Sequence, residues 1–224
     1  RRQRQMCIRD RYITMSSEGG ANDFGDLTFA RQYVASANSS TRGLFMNSYS
    51  PKTNSIEFIT IASTGDATDF GDSTAARQAD TGTSSPTRAV VPGGYGQAGN
   101  SNPNASTASP FAENIIDFVT IATLGNAQDF GDRSVAGWGV GSNGNNTRGI
   151  FFGVTPSRTN IIDFITIAAK GNSTDFGDLL QGNGYLSGAS SQTRSVMVGG
   201  TTPSTINVIQ FVTNSTTGDA TDFG

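Results

Sequence analysis

The chain has 224 residues, of which 28 are Gly and only 15% are charged, with no His and a single Cys, Cys7. One Cys excludes an intrachain disulfide and a cysteine metal cluster, and the lack of His removes the usual general base and the commonest transition-metal ligand. The net charge is −3, and no apolar run approaches the roughly 20 residues that span a bilayer, so no membrane partner is expected.

Residues 1–11 share nothing with the rest of the chain. Residues 1–12 hold five Arg and one Asp, whereas the remainder holds 10 basic and 17 acidic residues. This acidic remainder lacks the basic face that phosphate-backbone binding requires, so no nucleic-acid partner is expected. No cofactor is expected either. Segment 1–11 resembles translated sequencing-adapter DNA at the ends of reading frames assembled from environmental samples. We interpret it as non-native, with a disordered basic tail as the alternative.

The motif Asp-Phe-Gly-Asp organises the remaining residues. It occurs four times in full, with a fifth, shorter copy at 222–224. An aromatic residue precedes each motif Phe by 12 positions, and an Arg follows each last Asp by 16. Such fixed spacing is typical of a repeat architecture. The repeated residues are Phe24, Phe70, Phe130, Phe176 and Phe223; Asp26, Asp72, Asp132 and Asp178; and Arg42, Arg88, Arg148 and Arg194.

In chain order, the spacing divides a single domain, 12–224, into repeats of about 12–55, 56–114, 115–160 and 161–207 and a partial repeat, 208–224. Each full repeat contains four strand-like segments separated by turns rich in Gly, Ser and Asn. The segments 56–62, 115–122 and 161–168 are apolar on both faces. A strand of this kind belongs to a sheet packed between two neighbouring sheets.

Two features interrupt the repetition. The second repeat is about 14 residues longer than the others because of an insertion, 96–112, and inserted loops often carry function. The third repeat contains the only Trp, Trp138, at a position that is Gln32, Gln78 and Gly184 elsewhere. Trp138 is therefore not a repeat-wide core position, although ordinary packing remains the alternative to a ligand contact.

The repeated residues are expected to form the scaffold. The aromatic pairs should pack adjacent sheets together, and the motif Gly should permit a turn or a close strand approach. The motif Asp residues should accept backbone hydrogen bonds, and the repeated Arg should pair with a repeated Asp. Calcium binding by Asp66, Asp69 and Asp72 is a weaker alternative, because Asp66 becomes Asn126 and Asn172 in other copies.

The segments 90–95 and 196–200, each a strand followed by small residues, and the Asn-Ile-Ile-Asp-Phe sequence together resemble the kelch-type repeat of β-propellers. The similarity covers about 12–224. It implies an all-β propeller of four-stranded antiparallel blades, about five counting partial ones. The sequence Ile-Asp-Phe-Ile-Thr-Ile-Ala, with the residues that follow it, also resembles repetitive virion or tail-associated proteins of marine tailed phages. This resemblance implies a virion setting.

Closure of such a propeller is not obvious from the sequence. Segments 12–27 and 208–224 are versions of the same half-blade, so they duplicate rather than complement each other. The sequence therefore predicts either an incomplete final blade or self-association through its exposed edge, because an unpaired strand edge templates pairing.

The favoured function is a non-enzymatic binding or structural module that presents loops to a glycan or a protein partner. The candidate ligand contacts are Trp138, Tyr185, Tyr95 and Asn102, the last within the insertion. No catalytic residue and no metal site is expected, because no local nucleophile–base constellation is visible. A purely structural scaffold and a carboxylate-dependent hydrolase are the alternatives.

Overall fold

The computed structural model describes residues 10–78, 81–96 and 111–224, and none of these residues is helical. They form a half-blade and four blades, each an antiparallel sheet whose strand order follows the chain. The half-blade contains β1 (Asp10–Tyr12) and β2 (Asn22–Gly25). Blade 1 contains β3 (Ala35–Asn38), β4 (Arg42–Tyr49), β5 (Lys52–Thr60) and β6 (Thr68–Asp72).

The other three blades repeat this plan. Blade 2 contains β7 (Thr83–Ser84), β8 (Arg88–Tyr95), β9 (Ala112–Thr120) and β10 (Gln128–Asp132). Blade 3 contains β11 (Gly141–Gly144), β12 (Arg148–Phe152), β13 (Ile161–Thr166) and β14 (Thr174–Asp178). Blade 4 contains β15 (Ser187–Ser190), β16 (Arg194–Val198), a small hairpin of β17 (Thr201–Thr202) and β18 (Ser204–Thr205), β19 (Ile209–Thr213) and β20 (Thr221–Asp222). The predicted all-β fold of four-stranded antiparallel blades, five counting the partial one, is confirmed.

The incomplete unit lies at the start of the array rather than at its end. The two strands expected to form an incomplete final blade, β19 and β20, instead complete the four-stranded sheet of blade 4. The half-blade of β1 and β2 is the two-stranded unit. The expectation of an incomplete final blade is wrong because a sequence period fixes the length of a repeat but not the point at which one sheet ends.

Each hydrophobic core lies between two neighbouring blades. In β8, Ala89 and Val91 pack into the core shared with blade 1, whereas Val90 packs into the core shared with blade 3. In β12, Phe151 faces blade 2, and Ile150 and Phe152 face blade 4. The prediction that the third strands are covered on both faces is confirmed for 115–122 and 161–168, where Phe118 and Val119, and likewise Ile162 and Ile165, enter different cores. It is wrong for 56–62, because Ile61 is 43% exposed.

The paired aromatic rings have the same geometry in every unit. The ring on the third strand of each blade meets the motif Phe edge to face, as in Phe118 and Phe130, whose centroids are 5.7 Å apart at 80°. The same arrangement joins Tyr12 with Phe24 in the half-blade. Edge-to-face pairs of this kind contribute about 0.5–1.5 kcal/mol beyond their buried area. In blades 1 to 3 the motif rings Phe70, Phe130 and Phe176 lie in the cores between blades, whereas Phe223 of blade 4 is 54% exposed.

A backbone contact joins each motif to the next unit. The turn before β14 donates from the Gly171 amide to the Phe130 carbonyl (2.8 Å) and from the Ser173 amide to the Asp132 carbonyl (2.8 Å). The Asn172 side chain in turn accepts from the Asp132 amide (3.0 Å). We call this set the turn contact, and it recurs between the half-blade and blade 1 and between every later pair.

The turn contact explains why Asp and Asn alternate in the turn. Asp66, Asn126, Asn172 and Asp219 each place one side-chain oxygen 3.0 Å from a motif Asp amide. Asp and Asn both carry that oxygen, so either residue satisfies the amide. This backbone role accounts for Asp66 without calcium.

The repeated Arg joins adjacent blades in a different way from the one expected. The Arg88 guanidinium lies 4.9 Å from the centroid of the Phe118 ring in its own blade and donates to the Ile167 carbonyl of blade 3 (2.9 Å). Arg42 and Arg148 make equivalent contacts. The predicted pairing of this Arg with a repeated Asp is wrong, because its planar cation stacks on a ring and reaches a carbonyl.

A second set of interblade contacts buries charge. The residue before the third-strand aromatic is Glu57, Asp117 or Asp163, and in blades 1 to 3 it pairs with a buried Arg. The partners are Arg31, Arg77 and Arg133. Burial lowers the pKa of Arg133, and the negative charge of Asp163 opposes that shift. Blade 4 has a neutral version of the pair, in which Leu179 and Gln210 occupy the positions of Arg133 and Asp163.

The turn contact predicts the effect of a methyl group at Gly131. A Cβ there would lie 2.4 Å from the Gly171 carbonyl oxygen, whereas a Cβ at Gly171 would meet nothing within 4 Å. Both residues have strongly positive φ, +145° and +154°, so Gly171→Ala controls for backbone strain. We expect Gly131→Ala to lower the free energy of unfolding in urea by about 1–3 kcal/mol more than Gly171→Ala. Equal losses would show that the close approach is unimportant.

The neutral pair in blade 4 predicts how blade 3 responds to loss of its buried cation. Arg133→Leu leaves Asp163 charged and buried, and should cost about 3–5 kcal/mol in urea unfolding. Adding Asp163→Gln reproduces the Leu179 and Gln210 combination and should restore most of that stability. If the double variant is no more stable than Arg133→Leu, the two positions are not coupled.

Candidate functional site

The two kinds of aromatic residue occupy different parts of the molecule. The chain has 14 Phe, five Tyr and one Trp, and the motif residues Phe70, Phe130 and Phe176 pack between blades. Four of the five Tyr and the only Trp instead gather at one end of the blades. We call this cluster the aromatic rim, and it consists of Tyr33, Tyr49, Tyr95, Phe111, Trp138 and Tyr185.

The rings of the aromatic rim form a connected series. Tyr95 stacks on Phe111 at 5.2 Å and meets Trp138 edge to face at 4.9 Å. The Trp138 indole nitrogen donates to the Tyr185 hydroxyl at 3.1 Å. On the other side, the Tyr49 ring lies 6.3 Å from Tyr95 and 6.0 Å from Tyr33. Contacts between rings thus hold the series together.

Lys52 supports the centre of the series. Its ammonium lies 4.5 Å from the Tyr95 centroid and 5.7 Å from the Tyr49 centroid, and it donates to the Gly96 carbonyl (2.7 Å). Partial burial lowers the pKa of Lys52. The cation therefore stabilises two rings and the first residue of the insertion together.

A pocket of about 270 Å³ lies among these rings and is lined by Tyr33, Tyr49, Gln78, Tyr95, Trp138 and Tyr185. Tyr33, Gln78, Trp138 and Tyr185 come from the four loops that enter blades 1, 2, 3 and 4. Loops from all four blades therefore meet at one pocket, as expected for a propeller-like array of blades.

Two of the rings are held in an unusual backbone conformation. Tyr33 has φ of 55° and Tyr185 has φ of 59°, both in the left-handed region. Their side chains are 53% and 49% exposed, so core packing does not account for them. The equivalent residue in blade 3 is Gly139, which has φ of 63° and adopts this conformation without strain. Strained, exposed Tyr residues at a Gly-compatible position indicate a role other than folding.

The sequence-predicted site residues come together in part. Trp138, Tyr185 and Tyr95 all line the pocket, whereas Asn102 lies outside the described residues. The two described ends of the insertion also reach the rim, because Phe111 stacks on Tyr95 and Gly96 binds Lys52. Trp138 is partly exposed and contacts other rim residues, rather than occupying one of the interblade cores.

Sequence reasoning missed Tyr33, Tyr49, Lys52, Gln78 and Phe111. A signal for two of them was present, since Tyr33 and Tyr185 both stand seven residues after a motif's last Asp. Tyr49 and Tyr95 likewise both stand seven residues after a repeated Arg. Comparing the positions that vary among repeats would have found these pairs. Lys52 and Phe111 have no counterpart of this kind in another repeat, because the contacts of each depend on the hairpin in which it lies.

No protein-family model and no curated protein matches this chain. Within the described ranges, no cluster of His, Cys, Asp or Glu is arranged to hold a metal ion. The same residues contain no helix that is long and apolar enough to span a membrane. The aromatic rim is therefore the strongest candidate site that the described residues offer.

The strained conformation of Tyr185 predicts that replacing this residue leaves the free energy of unfolding nearly unchanged. Asn tolerates the left-handed region better than Tyr, so Tyr185→Asn should change the free energy of unfolding by no more than about 0.5 kcal/mol. Tyr33→Asn is the matched variant at the equivalent exposed position. Urea unfolding of both variants tests this, and a loss above about 2 kcal/mol would identify Tyr185 as a packing residue.

Proposed function

We propose that the protein is a non-enzymatic binding module that recognises a carbohydrate through the aromatic rim. The observation that carries this proposal is the pocket lined by four Tyr and one Trp, with Gln78 as a further polar group. An aromatic ring offers an apolar face to the C–H face of a sugar, while Tyr hydroxyls and an amide can bond to sugar hydroxyls. The three most exposed rings, Tyr33, Tyr49 and Tyr185, are 43–53% exposed.

The rigidity of the rim supports binding rather than incidental exposure. Trp138 and Tyr185 are joined by a hydrogen bond, and Lys52 holds Tyr49 and Tyr95. Rings held in place before a ligand arrives lose little conformational entropy on binding. Exposed aromatic clusters that serve no packing purpose are expected at binding surfaces.

The other functions considered receive less support. The residues that line the pocket include no carboxylate, so it lacks the acid pair that a hydrolase of glycosides needs. A purely structural scaffold would account for the repeated turn contacts but not for the strained Tyr33 and Tyr185. A Pro-rich peptide partner remains the competing ligand, because Tyr and Trp also line grooves that bind such peptides.

The proposed setting rests on the resemblance to the repetitive virion or tail-associated proteins of marine tailed phages, whereas the resemblance to kelch-type repeats bears only on the fold. We extend the proposal to a virion component that binds a glycan of the host surface. Self-association through an incomplete blade is a further part of this proposal, since unpaired strand edges template pairing.

The single Trp allows a direct test. Trp138 fluorescence should change when the full chain is titrated with neutral oligomers of glucose, galactose, mannose or N-acetylglucosamine. We expect at least one series to bind, and Tyr49→Ala to weaken that binding by about 2 kcal/mol or roughly 30-fold, as for a central aromatic contact. Calorimetric titration of Trp138→Ala should show a loss of similar size.

The matched control is Tyr12→Ala, which removes a Tyr that lies outside the rim in the half-blade. It should leave sugar affinity unchanged. Binding of a Pro-rich peptide but of no sugar would replace the carbohydrate proposal with a peptide partner. If neither class binds, the scaffold alternative is favoured.

A further inference from the structure

A second pocket, of about 250 Å³, adjoins the aromatic pocket and has a different lining. It lies where the first strands of blades 3 and 4 approach each other, and small or hydroxyl-bearing residues dominate its walls. Thr81, Ser142, Ser187 and Gly188 contribute to it, together with Gly139 and Tyr185. No residue in its lining is charged.

Tyr185 forms a wall of both pockets. Its amide donates to the Gly139 carbonyl at 2.8 Å, and its hydroxyl accepts from Trp138 at 3.1 Å. A Cβ on Gly139 would lie 3.0 Å from the Tyr185 ring, so the ring packs directly against the backbone. One ring, held at both ends, therefore separates two adjoining spaces.

The second pocket suits a hydroxylated ligand. The Thr81 and Ser142 hydroxyls lie 2.6 Å apart, and Ser142 donates to the Gly82 carbonyl at 2.9 Å. Hydroxyl groups in such a chain can both donate and accept, as sugar hydroxyls do. A Pro residue offers these groups only its carbonyl, because it has no N–H, whereas each sugar hydroxyl can both donate and accept.

The sizes of the pockets indicate how the ligand divides between them. Sites for drug-sized ligands enclose roughly 300–1,000 Å³, and each of these pockets is smaller, at about 270 and 250 Å³. Each can accept one small unit, and a ligand that uses both must bridge Tyr185.

We propose that the ligand is a neutral oligosaccharide of at least two units, with one unit among the rings of the aromatic rim and the next across Tyr185 in the Ser- and Thr-lined pocket. This inference rests on the proposed carbohydrate binding and specifies its ligand class. The lining of the Ser- and Thr-lined pocket contains no charged residue, which favours a neutral sugar unit there.

The test compares two variants of β15. Ser187 and Ser190 are both exposed residues of this strand, but only Ser187 lines the second pocket. Ser187→Phe should fill that pocket, and Ser190→Phe is the matched control. The probes are the monomer, dimer, trimer and tetramer of each neutral series, titrated against the full chain with Trp138 fluorescence as the readout.

We expect the dimer to bind about tenfold more tightly than the monomer in the unmodified chain. Ser187→Phe should lower dimer affinity to that of the monomer without changing monomer affinity, and Ser190→Phe should change neither. Equal affinity for monomer and dimer, or equal effects of the two variants, would overturn the second subsite while leaving carbohydrate binding intact. Failure of every sugar to bind would overturn both proposals.

Discussion

The close backbone contact between each Asp-Phe-Gly-Asp motif and the turn of the next unit is the constraint on which the rest of the structure depends. The turn reaches within hydrogen-bonding distance of two motif carbonyls, and a Cβ on Gly131 would prevent this. Backbone rather than side-chain contacts therefore set the separation of neighbouring blades. Because the separation repeats, the entry loops of successive blades meet at the same end of the molecule.

This constraint divides the chain into two kinds of position. The motif Phe and the repeated Arg are constrained where another blade follows. In blades 1 to 3 the motif Phe lies in an interblade core and the Arg donates to a carbonyl of a neighbouring blade. The residues just before the first strands are outside these contacts and vary freely. Tyr33, Trp138 and Tyr185, which combine an apolar ring with a polar group, occur at these variable positions, whereas Phe fills the constrained ones in the four full blades.

The fold was predictable because its signals are local or periodic. Strand segments, blade number, ring pairs and the need for Gly in the motif all follow from spacing within one repeat. The partner of the repeated Arg could not be predicted from spacing within one repeat. Arg88 binds the Ile167 carbonyl 79 residues away, and only the mutual arrangement of two blades creates that contact. Trp138 was predictable as an exception to the repeat, whereas Lys52 became visible only once two hairpins met.

The arrangement of the rim also follows from a steric limit. Blade 3 places Trp138 one residue before the left-handed position and Gly at that position, whereas blade 4 places Gly184 first and Tyr185 second. A side chain on Gly139 would press against the Tyr185 ring at 3.0 Å. A large ring at the left-handed position of blade 3 would therefore crowd the Tyr185 ring of blade 4. Trp138 stands one residue before the left-handed position and Tyr185 stands at it, and this offset lets the Trp138 nitrogen reach the Tyr185 hydroxyl. The hydrogen bond fixes the wall between the two pockets.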